Sequence, residues 1–166
     1  PWYGPPRGFN FEREIQPVLD RHCAGCHHGQ PDGPGRPAFD LRGLERITDY
    51  RSVYHDGGQD AGHFSTSYAE LHRFVRRPGL ESDYHLLMPM EFHASTTQLV
   101  QLLAKGHHNV RLDDESWDRL ITWIDLNAPF HGTWTEIAGA DRLRFLGVVS
   151  RYTGLVSSLD MTERPH

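Results

Sequence analysis

The residues with the clearest chemistry lie in one short run, Cys23-Ala24-Gly25-Cys26-His27. Two thiols three residues apart can each add to a vinyl group of the same porphyrin, and the histidine that follows then lies beneath the iron. This spacing is typical of covalent haem attachment, which would consume both cysteines of the chain as thioethers. The sequence therefore predicts one haem c held by Cys23 and Cys26, with His27 as an axial ligand of the iron.

Three other interpretations of the cysteine pair stay open. A thioredoxin-like redox pair should follow a β-strand, whereas an amphipathic helical pattern precedes these cysteines. A zinc site needs four ligands, and His28, His107 and His108 could supply the histidines of a Cys₂His₂ set. The pair could also form an ordinary disulfide or remain as free thiols.

The composition excludes several classes of protein. The 166 residues are 37% hydrophobic and 23% charged, which fits one globular domain better than a disordered chain. A net charge of −5 argues against a nucleic-acid-binding protein. No apolar run approaches the roughly 20 residues that a membrane span requires. Twelve histidines beside only two cysteines favour metal or haem chemistry over a disulfide scaffold.

Helical periodicity and capping signals predict a mostly α fold with long irregular loops. Asn10 is the predicted N-cap of a first helix, in which Pro17 predicts a kink or a late start. Capping boxes begin at Ser67 and Ser95, and Asp113 should cap another helix. The apolar stripes of these helices are, in chain order, Phe11, Ile15, Val18, Leu19 and His22, then Tyr68, Leu71, Phe74 and Val75, then Leu99, Leu102 and Leu103, and finally Trp117, Leu120, Ile121 and Ile124.

Other local signals predict where these helices end and how they pack. Gly106 suits the end of the helix that begins near Ser95, and Asn127-Ala128-Pro129 should end the last of them. Leu112 and Trp117 have the spacing of a hydrophobic staple around Asp113.

Two stretches of the chain resemble a known family. Residues 11–28 (FEREIQPVLDRHCAGCHH) resemble the haem-binding start of planctomycete-type monohaem cytochrome c domains. Residues 98–134 contain LVQLLAKGHHNVRL and WDRLITWIDLNAPFHGTW, and they resemble the C-terminal cytochrome region of hydrazine synthase alpha-subunit-like proteins. Residues 85–94 (HLLMPMEFHA) stand where that family has a proline-containing loop. The resemblance implies a cytochrome c-like helical domain that is periplasmic and carries one haem. It does not imply hydrazine synthesis, which needs a second haem.

The resemblance suggests a division of the chain into three segments. Residues 1–9 are expected to be an extended lead-in, and residues 10–135 the cytochrome c domain. Residues 136–166 are expected to be a C-terminal extension, with one helix over 141–152 packed on the domain. The resemblance also implies that the first helix and the helix after Asp113 cross, so that Phe11 and its stripe meet the stripe of the later helix.

The second axial ligand is sought among Met88, Met90, Met161 and the remaining eleven histidines. Met88 precedes a proline, as in the methionine loop of class I cytochromes, but a predicted helix separates Met88 from the terminal helix. The segment directly ahead of the terminal helix is Gly106-His107-His108-Asn109-Val110. This position and the resemblance favour His107 as the ligand, with His108 as the alternative. Met88 and Met90 are then expected to pack in the haem pocket.

The other histidines and the tryptophans have plainer expected roles. His22 and His28 flank the motif and are expected at the haem edge or in solvent, and His93 is a candidate for the pocket. Surface or satisfied buried positions are expected for His55, His63, His72, His85 and His131. Core positions are expected for Trp117, Trp123 and Trp134.

These observations favour an electron-transfer module with a bis-His haem over a catalytic domain, and such a module can also belong to a larger redox enzyme. Two alternatives stay open: a catalytic or gas-binding haem with an open distal site, where His93 or His108 acts as acid or base, and a zinc-stapled interaction module. The chain has one lysine and sixteen arginines, so it lacks a lysine ring for docking. The expected partner is a redox protein or a tethered neighbour domain, with no nucleic acid and no membrane span. An exported location is expected, since this haem attachment occurs outside the cytoplasm, and the chain reads as a mature product or a piece of a longer one.

Overall fold

The computed structural model describes residues 2–30, 39–44, 46–48, 63–78, 83 and 86–138, and this part of the chain is mostly helical, as predicted. The helices are α1 (Phe11–Glu14), α2 (Gln16–His22), α3 (Thr66–Leu71), α4 (Gln98–Lys105), α5 (Asp114–Asp125) and α6 (Trp134–Ala138), with 3₁₀ turns at His72–Phe74 and Ala94–Thr96. Two short strands, β1 (Arg46–Thr48) and β2 (His63–Ser65), pair antiparallel with Ile47 opposite Phe64. None of the helices in this part of the chain is long and apolar enough to cross a membrane. The predicted tail helix over 141–152, His55, His85 and Met161 lie outside the described residues.

The N-terminal helices begin and break where the sequence predicts. The side chain of Asn10 accepts a hydrogen bond from the backbone N–H of Arg13 and caps α1. Ile15 separates α1 from α2, and Pro17 lies in the first turn of α2, where its missing N–H costs no hydrogen bond. The helical stretch therefore begins at Phe11 and breaks just ahead of Pro17, which agrees with the predicted kink and not with a late start of the whole helix.

The capping box predicted at Ser67 is wrong. Ser65 is the N-cap of α3, and its hydroxyl accepts from the backbone N–H of Tyr68. Ser67 lies inside the helix, is fully buried, and donates a 2.6 Å hydrogen bond to the side-chain carbonyl of Gln16. The hydroxyl that the local sequence pattern predicted to cap a helix is therefore hydrogen-bonded to Gln16, a buried residue far away in the sequence.

The capping box predicted at Ser95 is also wrong. Ser95 lies in the 3₁₀ turn that precedes α4, and Thr97 is the residue at the N-cap of that helix. The imidazole of His93 caps the 3₁₀ turn instead, because its Nδ1 accepts from the backbone N–H of Ser95 at 3.2 Å.

Helix α5 has the cap that the sequence predicts. The carboxylate of Asp113 accepts from the backbone N–H of Ser116 at 2.8 Å. At the other end, Asn127 and Ala128 adopt φ values of 67° and 52°, so the chain leaves the helix in the left-handed region. This turn places Ala128 in the core, where it is almost completely buried.

The core joins the first helices to α5, as the resemblance implies. The ring of Phe11 packs on Trp123 and Tyr68, with centroid distances of 5.3 and 5.1 Å. Leu120 and Ile124 are buried in the same cluster as Phe11. The remaining cluster members are Ile15, Leu19, Leu41, Leu71, Val75, Ala94, Ala128 and Phe130.

Not every residue of the predicted stripe is fully buried. Trp117 and Ile121 are only partly buried, although both pack against the core cluster. Trp134, predicted to be a core aromatic, is 66% exposed at the start of α6, so that prediction is wrong. Trp123 is fully buried, which confirms its predicted place, and its indole N–H donates to the carbonyl of Pro129.

A buried carboxylate ties the N-terminal segment to α5. The side chain of Glu14 is 1% exposed and forms ion pairs with Arg7, Arg13 and Arg119. Burial alone would raise the pKa of Glu14, but hydrogen bonds from Arg7 and Arg13 and the charge of Arg119 lower it to about 2. The carboxylate is therefore ionised across the ordinary pH range.

This arrangement predicts a specific acid lability. Because the pKa of Glu14 falls from 4.5 to about 2 on folding, the folded state binds fewer protons than the unfolded state in acid. The stabilisation is present above pH 4.5 and is lost as the pH falls towards 2, at a cost of about 2–3 kcal/mol. Urea unfolding measured between neutral pH and about pH 3 should show this decline, and Glu14→Gln should flatten it. An equally steep decline in that variant would assign the effect to other groups.

Candidate functional site

The Cys23–His27 motif forms a tight turn at the end of α2. The backbone N–H groups of Cys23 and Ala24 both donate to the carbonyl of Leu19 at 2.8 Å. The N–H groups of Cys26 and His27 then donate to the carbonyl of Cys23, at 3.1 and 2.9 Å. The helix therefore presents the two cysteines and the histidine on one short, hydrogen-bonded segment.

The two thiols differ in their surroundings. Cys23 is partly buried against the core, Cys26 is exposed, and neither forms a disulfide. Burial, and secondly the electrostatic interaction with Cys26, raises the pKa of Cys23 to about 11. A redox-active CxxC pair needs a thiol with a lowered pKa, because the thiolate is the nucleophile. The environment of Cys23 therefore argues against the thioredoxin-like interpretation.

The zinc interpretation finds no ligand set in the part of the chain that the structure describes. Within those residues, no group of three or more histidine, cysteine or acidic side chains is arranged to hold a metal ion. A structural zinc site closes a tetrahedron with four such ligands. Among the described residues, the surroundings of Cys23 and Cys26 do not supply four such ligands.

A segment beyond the motif holds His27 in place. The backbone N–H of Leu41 donates to the carbonyl of His27 at 2.9 Å, and His28 and Asp40 form an antiparallel β-bridge. The ring of Phe39 packs on the imidazole of His27, with centroids 4.9 Å apart and planes at 90°. Both the backbone and the ring of His27 therefore have fixed neighbours.

The segment 106–110 forms a sharp turn after α4. Gly106 ends the helix with a φ of 93°, a conformation that costs glycine little. His108 and Asn109 have φ values of 47° and 62°, and the N–H of Val110 donates to the carbonyl of His107 at 2.8 Å. Two consecutive left-handed residues inside such a hydrogen bond are typical of a type I′ turn, for which asparagine is well suited. The backbone therefore fixes the direction in which His107 leaves the helix.

The two turns bring His27 and His107 together. Their ring centroids are 5.8 Å apart and the ring planes are parallel to within 9°. Two imidazoles on opposite sides of one metal ion have centroids about 6 Å apart, because each metal–nitrogen bond is about 2 Å long and the ring centre lies about 1 Å further. Ordinary aromatic pairs span about 4.5–7 Å, so the distance alone fits both arrangements. The spacing of the two cysteines beside His27 is typical of thioether attachment, and this favours the metal-bound arrangement. The donor set of Cys23, Cys26, His27 and His107 thus fits a covalently bound haem.

The structure distinguishes the two adjacent histidines. Burial, and secondly the charge of His108, lowers the pKa of His107, which favours the neutral imidazole that binds metals. His108 is exposed, and its ring lies 4.7 Å from that of His107 at 87°. The ring that lies parallel to His27 is that of His107, and its role as the second ligand stays a prediction.

The methionine loop is solvent-exposed in this structure. Met88 and Met90 are 70% and 64% exposed, and the backbone N–H of Met88 donates to the carboxylate of Glu91. Contact of either thioether with a haem pocket stays a prediction.

Most of the other histidines whose side chains the structure describes are engaged in local contacts. His22 is partly buried with Nε2 3.4 Å from the hydroxyl of Ser116. His93 is exposed, and its Nε2 lies 3.8 Å from a carboxylate oxygen of Asp125. His72 stacks on Tyr68 and His131 packs edge-on against Phe130, while His28 is exposed. These placements agree with the surface or satisfied positions expected for His72 and His131.

Sequence reasoning missed Phe39. Phe39 and Leu41 alternate around Asp40 just after a glycine- and proline-rich stretch, which is the period of a short extended segment. That pattern could have predicted that the two side chains lie on the same face, but not that this face meets His27.

No protein-family model, curated protein or solved structure matches this chain, so the residues and geometry described above carry the functional argument.

Proposed function

We propose that this chain is a c-type cytochrome domain that binds one haem through Cys23 and Cys26 and transfers electrons. His27 and His107 are the axial ligands in this proposal, and the domain has a cytochrome c-like fold. The observation that carries it is the pair of parallel imidazoles 5.8 Å apart, one of which belongs to the CxxCH motif.

Each part of the site has a task in this proposal. The turn at the end of α2 orients the two thiols. The bridge between His28 and Asp40 fixes the backbone that follows His27. The turn at His107 holds a neutral imidazole opposite, so little conformational entropy is lost when it binds a metal. When bound, the haem supplies a ferric–ferrous couple, and two histidine ligands give it a lower potential than histidine and methionine do.

Location and partners belong to the same proposal. Covalent attachment of haem to CxxCH takes place outside the cytoplasm, so the domain works in the periplasm or in another exported location. Its partner is a redox protein or a neighbouring domain on the same chain, where a high effective concentration replaces steering by surface charge.

Covalent attachment can be tested directly. The chain is produced in a strain with a functional cytochrome c maturation system, and the expected product is red, retains haem in acid acetone, and has the mass of one added haem. The double variant Cys23→Ala/Cys26→Ala should lose the covalent haem and serves as the control. An intact apo mass for the wild type would refute the proposal.

A colourless protein with stoichiometric zinc would establish the zinc module, and a five-coordinate wild-type spectrum would establish an open distal site.

A further inference from the structure

Phe39 has a contact that bears on the orientation of the proposed ligand. Its ring stands perpendicular to the imidazole of His27, with the centroids 4.9 Å apart. Rotation of an imidazole about its Cβ–Cγ bond follows a broad torsional profile, so contacts with neighbouring groups set the ring plane. A perpendicular phenyl ring at this distance obstructs that rotation.

The backbone of Phe39 is anchored at its own carbonyl and again at Leu41. Its carbonyl accepts a hydrogen bond from the N–H of Gly29 at 3.1 Å, within the bridged segment that also binds the backbone of His27. Two residues further on, Leu41 is buried in the core, and its carbonyl accepts from the side-chain amide of Gln16 at 2.9 Å. Phe39 is therefore held at a fixed distance from His27 by hydrogen bonds that do not involve its own side chain.

The ring of Phe39 is also held from another direction. Phe74, at the end of the 3₁₀ turn after α3, packs edge-on against it, with centroids 5.6 Å apart and planes at 82°. The three rings of Phe74, Phe39 and His27 form a continuous packed row. A rotation of the imidazole would have to displace the middle ring of this row.

We propose that Phe39 is a positioning residue that holds the imidazole plane of His27 parallel to that of His107. This inference rests on the proposed haem site, in which both imidazoles bind the iron. The parallel planes, 9° apart, are the arrangement that the packed row stabilises.

The test is the low-temperature EPR spectrum of the ferric holoprotein, since the low-spin signal of a bis-imidazole haem depends on the angle between the two ring planes. The wild type should give a rhombic signal, which is typical of parallel planes. Phe39→Leu keeps the apolar character but loses the flat ring, and its signal should shift towards the large-gmax type of crossed planes. Phe39→Tyr keeps the flat ring, so this variant should give the same signal as the wild type.

Phe64→Leu is the matched control, because Phe64 is a partly buried phenylalanine of the same core whose ring packs on Tyr68 and Phe130. Its signal should equal that of the wild type. A wild-type signal from Phe39→Leu, or an equal shift from Phe64→Leu, would overturn the inference and leave the haem site standing. Phe39→Met supplies the same comparison if the leucine variant does not fold. A wild type without low-spin haem would refute the proposed function, and with it this inference.

Discussion

Replacing His107 with alanine is expected to convert a six-coordinate, low-spin haem into a high-spin or five-coordinate one. The imidazole of His107 lies parallel to that of His27 at a separation that suits two ligands of one metal. An internal ligand such as His107 would occupy the binding position nearly all the time. The apparent affinity for an external ligand is then lowered in proportion to the fraction of time for which that position is open. The variant should therefore bind carbon monoxide about tenfold more tightly or better. Absorption spectra with and without carbon monoxide measure both effects.

Two controls make this experiment specific. His108→Ala removes the exposed neighbour of His107, and Met88→Ala removes the methionine that precedes a proline. Both variants should keep the low-spin spectrum. The assignment would be wrong if His108→Ala opened the site and His107→Ala did not. A long-wavelength band of methionine–iron ligation in the wild type would contradict it as well.

Glu14→Gln should be the most destabilising single substitution of a charged residue described above. The change keeps the volume of the side chain but leaves the guanidinium groups of Arg7, Arg13 and Arg119 without their shared carboxylate. Removing one partner of a buried ion pair costs about 3–5 kcal/mol, and the partial exposure of the arginines places this case at about 3 kcal/mol. Urea unfolding at neutral pH, followed by circular dichroism, measures the loss.

Glu12→Gln is the matched control on the same helix. Glu12 is exposed, and ion pairs at exposed positions contribute about 0–1 kcal/mol. A comparable loss of stability in both variants would show that general charge balance, and not the buried contact, explains the effect. The haem spectrum of the Glu14→Gln variant should stay low-spin, since the carboxylate contacts none of the proposed ligands.

Local signals predicted those features of the fold that depend on neighbouring residues. Asn10, Pro17 and Asp113 act as predicted because caps and proline breaks involve groups within one helical turn. The capping box predicted at Ser67 was wrong because the hydroxyl of Ser67 donates a hydrogen bond to Gln16, which is 51 residues away. The core position predicted for Trp134 was wrong because it rested on residue type alone, whereas the side chain opens a five-residue helix and is 66% exposed.

The residues of the candidate site also differ in how far the sequence could predict them. Cys23, Cys26 and His27 follow from a spacing that is chemical in origin, and they could be predicted without any structure. The proximity of His107 to His27 required an argument from resemblance and position, and the structure places the two rings side by side. The Glu14 cluster was beyond sequence reasoning, because Arg7 and Arg119 approach the carboxylate from separate segments.

The turn that carries His107 also determines how related sequences should be recognised. Gly106, His108 and Asn109 all have positive φ, so the orientation of the imidazole depends on the handedness of the backbone as much as on the histidine itself. A homologue with both histidines but β-branched residues in place of Gly106 and Asn109 would satisfy a search for histidines while losing the turn. A homologue that keeps glycine and asparagine at these two positions retains the geometry even where its helices have diverged. The informative pattern is therefore the glycine and asparagine that bracket the histidine pair.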